Sequence, residues 1–362
     1  MTDADVPFPY MRYAKTKLTS YGGMNLGMSG IAGLTTADIP IPTDTPFWAP
    51  EGEFGDPGLR AAVAAHAGVG PERVFVSAGT SLANFLVYLT EARGAHIAVE
   101  APVYEALTAL PKAVSATCST FRRDEARGWR IDPAALRAAV RPGTRLIVVT
   151  DLHNPTGARL HADDLALLLR EAERVDAAVL VDEVYLEMDL EPRRTAALSH
   201  PRVIVTSSLT KAHGLGGLRI GWILADPARI ERITHWNDLV CPAHPVPSIA
   251  VAKAYLAKAP EFLARTKAMI RERVEQADRW VRSRGDVSWG KPAGGISGFL
   301  RLPEGVRSDA FAEHAWSKHG VRVIPGAYFD ADDHVRISYG LPTADLDHAL
   351  AALGRALDDF PE

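Results

Sequence analysis

Cysteine is scarce in this chain: 362 residues contain two, Cys118 and Cys241, with no CxxC pair. That argues against a disulfide framework and a thiolate zinc site, and it fits a reducing compartment. An excess of basic charge is also missing. Lys and Arg number 40 against 44 Asp and Glu, a formal net charge of −4, so there is no electrostatic footprint for nucleic acid or an anionic membrane surface. No segment approaches the ~18 uninterrupted apolar residues of a membrane span. The start, Met1-Thr2-Asp3-Ala4-Asp5, lacks the basic-then-apolar order of a secretory signal. Internal repeats and low-complexity linkers are absent. These absences predict a soluble, cytoplasmic protein with neither membrane nor nucleic-acid partners.

What is present is ordinary globular composition, 47% hydrophobic and 23% charged, at a length that suits two unequal domains. The first fifty residues, rich in Gly, Pro and Thr, read as an irregular arm that must lie on something to be ordered. From Gly58 short apolar runs alternate with helical patterns. Strands are expected at 73–76, 96–99, 146–150, 178–181, 203–205 and 220–223, with helices at 59–66, 82–93, 104–110 and 162–175. This alternation predicts an α/β fold with a mostly parallel, seven-stranded sheet sandwiched by helices. A long helical stretch, 249–284, then leads to strands at 298–302, 321–324 and 334–338, a smaller α+β domain. The expected division is an arm at 1–50 joining the small domain, a large domain at 51–280 and the small domain at 281–362.

The chemistry concentrates after the strand Val203-Ile204-Val205, in Ser207-Ser208-Leu209-Thr210-Lys211, with Arg219 eight residues on. Hydroxyls and a guanidinium beside one lysine suit a phosphate held next to an amine. A partly desolvated, cation-rich pocket lowers the pKa of such an amine and makes it a nucleophile. This points to a Schiff base with a phosphorylated aldehyde, pyridoxal phosphate (PLP). Other motifs fall at the carboxyl ends of predicted strands, where open parallel sheets bind ligands. Ser77-Ala78-Gly79-Thr80-Ser81 opens a helix and offers an anion site. The Asn154 amide, in Asn154-Pro155-Thr156-Gly157, could bond a phenolate oxygen, although the stretch by itself is also a plain turn. Asp182 ends a very apolar strand, where a carboxylate needs a partner such as a protonated pyridine nitrogen. Tyr185 could donate to the ring oxygen, and Tyr104 could stack on the ring face or simply fill the core.

In combination and in this order, the motifs resemble the class I/II aminotransferases of PLP fold type I, the aspartate aminotransferase-like superfamily, over roughly Gly58 to Tyr339. The resemblance implies that Lys211 carries the cofactor as an aldimine and that Asp182 pairs with the pyridine nitrogen. It implies that Asn154 and Tyr185 contact the ring oxygen and that Tyr104 stacks. It gives the phosphate to Gly79, Thr80, Ser81, Ser208 and Arg219, and the substrate α-carboxylate to Arg336, in Val335-Arg336-Ile337-Ser338. The implied reaction moves the α-amino group of an amino acid to a 2-oxo acid, and the implied assembly is a homodimer. One departure is Pro50 in place of a cross-subunit phosphate tyrosine, five residues before Gly55, with Trp48 the nearest aromatic. Another is the lack of arginine around Val240-Cys241-Pro242-Ala243-His244, which argues against Asp or Glu as substrate; His244 reads as a solvated loop residue.

Three alternatives compete. Elimination, replacement, cyclisation or decarboxylation on the same scaffold would use the same cofactor. A serine hydrolase could use Ser81 with Asp182 and a late histidine such as His334, but leaves Lys211 and Arg219 unexplained. A non-catalytic PLP-binding regulator would want a basic patch that is absent. The acidic run Asp330-Ala331-Asp332-Asp333-His334 could be a metal site but reads rather as a solvated turn before a strand.

Overall fold

The computed structural model describes residues 8–18, 24–40, 42 and 56–361. The arm contributes helix α1 (Pro9–Lys17) and a two-residue strand β1 (Met24–Asn25), so it is less irregular than its composition predicts. Trp48, Pro50 and Gly55 lie outside the described residues.

The large body begins with α2 (Pro57–Ala67), β2 (Val74–Ser77), α3 (Thr80–Ala92), β3 (His96–Ala101) and α4 (Glu105–Ala113). It continues through β4 (Thr117–Asp124), β5 (Arg130–Ile131), α5 (Pro133–Ala139), β6 (Thr144–Thr150), α6 (Ala162–Val175) and β7 (Ala178–Asp182). Then come β8 (Val203–Ser208), β9 (Gly221–Leu224), α7 (Pro227–Asn237) and α8 (Val246–Leu256). These strands form one sheet of eight, ordered β2-β9-β8-β7-β6-β3-β4-β5. That is one more than expected, because the two-residue β5 adds an antiparallel edge to β4. The neighbours from β4 to β8 pair in parallel, and β9 runs antiparallel to both its neighbours.

Side-chain alternation divides each central strand between two cores. Ile97, Leu146, Val148, Leu180 and Ile204 pack with Leu86 and Val87 of α3 and Ile230 of α7. Ala98, Ile147, Val149, Val179, Val181, Val203 and Val205 pack with Leu59 and Val63 of α2, Leu168 of α6 and Tyr255 of α8. This is why the runs read as continuously apolar: both faces are covered.

The predicted helix 249–284 is two helices, α8 and α9 (Ala259–Ser283), with α9 restarting at Pro260 in its first turn, where proline is accommodated. The first residue of α9, Ala259, belongs to the sheet core, while Ile270, Val274, Ala277 and Val281 belong to the core of the smaller body. That body holds β10 (Ser297–Arg301), α10 (Ser308–His319), β11 (Val321–Arg322), β12 (Ile324–Pro325), β13 (His334–Ser338) and α11 (Thr343–Asp358). The expected strand 321–324 splits because β11 pairs with β1 of the arm and β12 with β13. Among the described residues, no helix is long and apolar enough to cross a membrane.

One buried ion pair ties the ends of the central strands. Arg123 of β4 donates to Glu100 of β3 at 2.6 Å, and neither side chain is exposed. Arg123 also donates to the carbonyls of Trp129 and Thr150, while Glu100 accepts from the Thr150 backbone N–H and hydroxyl. Removing one partner leaves the other charged and unmatched in the core, at a cost of about 3–5 kcal/mol. Arg123→Ala should therefore unfold at distinctly lower urea than the parent. An unchanged midpoint would show that the pair does not support the sheet.

Candidate active site

Every candidate motif leaves the sheet at the edge where the parallel strands end. Lys211 follows β8, Asp182 closes β7, Asn154 follows β6, Tyr104 follows β3 and Gly79 follows β2. The structure brings these groups together with Arg336, which comes from β13 of the smaller body.

The Lys211 amine is buried and donates to the Ser29 hydroxyl at 2.7 Å. Burial lowers its pKa to about 8, helped by the cations Arg336 and Arg219 and opposed by Asp182. Tyr185 is anchored on the same arm residue, donating to the Ser29 carbonyl at 2.8 Å. Asp182 is 6% exposed, and burial raises its pKa. Its carboxylate accepts from the Asn84 amide at 2.8 Å and from the Val184 N–H at 3.1 Å. Thr206 in turn donates to the Asn84 carbonyl oxygen at 2.6 Å, which fixes the orientation of that amide.

Gly79 caps α3 with φ +83°, a backbone conformation that favours glycine. A side chain there would collide with the Arg219 guanidinium. That guanidinium donates to the carbonyls of Ala78 and Gly216. The Thr80 hydroxyl is buried with no hydrogen-bond partner, Ser81 is exposed, and the buried Ser208 hydroxyl accepts from the Thr210 N–H at 3.3 Å. A helix start, an unpartnered hydroxyl and an exposed guanidinium make a site for an anion.

Arg336 is wholly buried, yet its partners among the described residues are all neutral. It donates to the Asn154 side-chain oxygen, the Tyr10 hydroxyl and the Gly27 carbonyl, each at 3.1 Å, and its Nε has no partner. Tyr10 also meets Tyr104 edge-on, with ring centroids 5.5 Å apart, and packs against Tyr328 and Phe329. The Tyr104 hydroxyl donates to the Met11 sulfur.

Sequence reasoning missed Asn84, Thr206, Ser29, Tyr10 and Gly27. Asn84 and Thr206 carried a signal, each a polar residue inside an otherwise apolar helix or strand; the arm residues carried none. His244 is half-buried against the Ser77 backbone, with its Nε2 unpartnered, rather than solvated. The hydrolase reading fails on geometry. Both ring nitrogens of His334 are taken by acids, Asp333 at 2.7 Å and Glu125 at 3.2 Å, and Asp182 serves Asn84. The acidic run before His334 is paired, Asp332 with Arg307 and Asp333 with Arg301.

A buried lysine of lowered pKa, a buried carboxylate at a strand end and an anion cup beside them define a PLP site on the fold type I scaffold. The chain belongs to the aminotransferase class I and II family, which residues 52–353 match; it is a PLP-dependent transferase. It is 28% identical to capreomycidine synthase of Streptomyces vinaceus over 350 residues, 95% of this chain and 90% of that one. It is 33% identical to the aromatic amino acid aminotransferase of Rhodococcus jostii over 291 residues, 80% of this chain and 77% of that one. A PLP-dependent aminotransferase from Streptococcus suis superposes with TM-score 0.87 at 26% identity, covering 97% of each chain.

With a pKa near 8, Lys211 should capture added PLP in the cofactor-free protein at a rate that rises with pH and levels off just above 8. Stopped-flow absorbance against pH measures this. A rate still climbing towards pH 10 would mean an ordinary, solvated lysine. Borohydride reduction of the yellow protein should leave the label on the Lys211 peptide.

Proposed function

We propose that this enzyme transfers the α-amino group of a neutral or aromatic amino acid to a 2-oxo acid, with PLP carried on Lys211. One observation carries the reading: Arg336 is a fully buried cation that, among the described residues, has no acidic partner and an unpartnered Nε. A buried charge without a counter-ion is costly, and a substrate α-carboxylate supplies one through a paired guanidinium contact.

When bound, PLP supplies an electron sink for the pair left at the substrate Cα. Asp182, oriented by Asn84, would hold the proton on the ring nitrogen. Thr80, Ser81, Gly79, Ser208 and Arg219 would hold the phosphate, and Asn154 and Tyr185 the ring oxygen. Tyr104 would lie against the ring. Arg336 fixes the substrate carboxylate and so the direction of its Cα–H bond. Lys211 would act as the single general base that takes the proton from the substrate Cα. The rings of Tyr10, Tyr104, Tyr328 and Phe329 gather beside Arg336. They favour an apolar or aromatic substrate side chain, consistent with the name of the Rhodococcus relative. Another PLP reaction at the same carbon, cyclisation or elimination among them, is the second reading, since nearly the whole chain is also similar to a relative named a synthase and not an aminotransferase.

Arg336→Leu should keep bound PLP but lose at least ~100-fold in kcat/KM towards amino acids, since a charge-assisted pair is removed. A panel of amino acids, followed by cofactor absorbance and mass spectrometry, decides the reaction. Amino acid converted to 2-oxo acid supports transfer, whereas a cyclised or unsaturated product without a 2-oxo acid replaces it with the second reading.

We also propose a cytoplasmic homodimer. Leu239 and Val240 are 78% and 52% exposed on the loop after α7, and Met28 of the arm is 40% exposed; such exposed apolar side chains are what a partner copy would cover. Sedimentation at assay concentration should give twice the chain mass; a fully active monomer would refute it.

A further inference from the structure

Two groups of metal-ligating side chains occur among the described residues, His66 with Glu187 and His213, and His314 with His319 and Asp359. The second is built on an exposed aspartate near the end of the chain. The first is half-buried, and the cofactor pocket makes no use of it.

His213 lies two residues after Lys211, Glu187 two after Tyr185, and His66 in the last turn of α2. One Glu187 oxygen is 2.8 Å from His213 Nε2 and the other 2.8 Å from His66 Nε2, and the three ligand atoms lie within 4.8 Å of one another. His66 Nε2 is buried and faces the Glu187 carboxylate as an ion pair. The opposite nitrogen of His213 is 2.8 Å from the Tyr255 hydroxyl. Tyr255 is fully buried and stacked on Phe262. An outer partner of this kind is what fixes the tautomer and direction of a metal-bound imidazole. Trp222, 3% exposed, stands edge-on to His66 and walls the group.

We propose that His66, Glu187 and His213 bind one divalent transition-metal ion. Two imidazoles and a carboxylate, completed by a water, are a zinc-type set; calcium and magnesium would ask for oxygen ligands throughout. The ion joins α2, the turn after Tyr185 and the loop bearing Lys211. Its role is to hold that loop in place, and it takes no part in the reaction. The proposal is independent of which reaction the enzyme performs.

The test uses tag-free holoprotein, stripped with chelator, dialysed and titrated with cobalt chloride. One equivalent should bind, with ligand-field absorption at wavelengths beyond the cofactor band, and zinc chloride should displace it. His66→Ala and Glu187→Gln should abolish the signal. Tyr255→Phe, which spares all three ligands, should weaken binding by roughly 10–100-fold, the usual effect of losing an outer partner. His319→Ala, in the other group, should change nothing. Circular dichroism and retained cofactor check that each variant is folded. The proposal is overturned if cobalt fails to bind stoichiometrically, if binding survives in folded His66→Ala, or if it is lost in His319→Ala.

Discussion

Parallel pairing forces the strands from β4 to β8 to end on the same edge of the sheet, and the site follows from that constraint. Each strand exit delivers its next few residues to one crevice, with no further requirement than short loops. Lys211, Asp182, Asn154 and Tyr104 are far apart in sequence and adjacent in space for that reason; Gly79 joins them because β2 and β8 are both antiparallel to β9 and so run the same way. The two-sided burial that makes the strands stable also makes their ends dry, so groups placed there shift away from their ordinary chemistry.

Charge balance in the crevice is incomplete by design of the residues themselves. Among the described residues, the charges acting on Lys211 are the cations Arg336 and Arg219 and one acid, Asp182, which a neutral amide and a backbone N–H already serve. Such an excess of cations over anions suits a site that takes up a phosphate and a carboxylate. The same excess lowers the lysine pKa, so cofactor binding and base strength draw on one electrostatic source.

The sequence made the central strands legible because both faces are covered and every position can be apolar. It hid β4, whose residues Thr117–Asp124 are largely polar and mostly exposed towards their amino end. It hid α1 because only Tyr10 on that helix is buried. The site residues found early are those on strand exits, where a polar residue interrupts an apolar run. Ser29 and Gly27 escaped because they act from an arm, through a hydroxyl and backbone carbonyls, and nothing in local pattern marks such contacts. His213 stood in plain view beside Lys211, but its partners come from two other segments.

Arg336 is held by Asn154 from the sheet body and by Tyr10 and Gly27 from the arm, while its own strand belongs to the smaller body. Three parts of the chain therefore meet on one guanidinium. By reciprocal linkage, whatever a carboxylate gains from an ordered arm, the arm gains in order from the carboxylate. A practical corollary concerns handling of the protein. Tyr10 sits at the start of α1, so a tag fused ahead of that helix is joined to the segment that holds Arg336, and the choice of terminus becomes a variable in every rate measured.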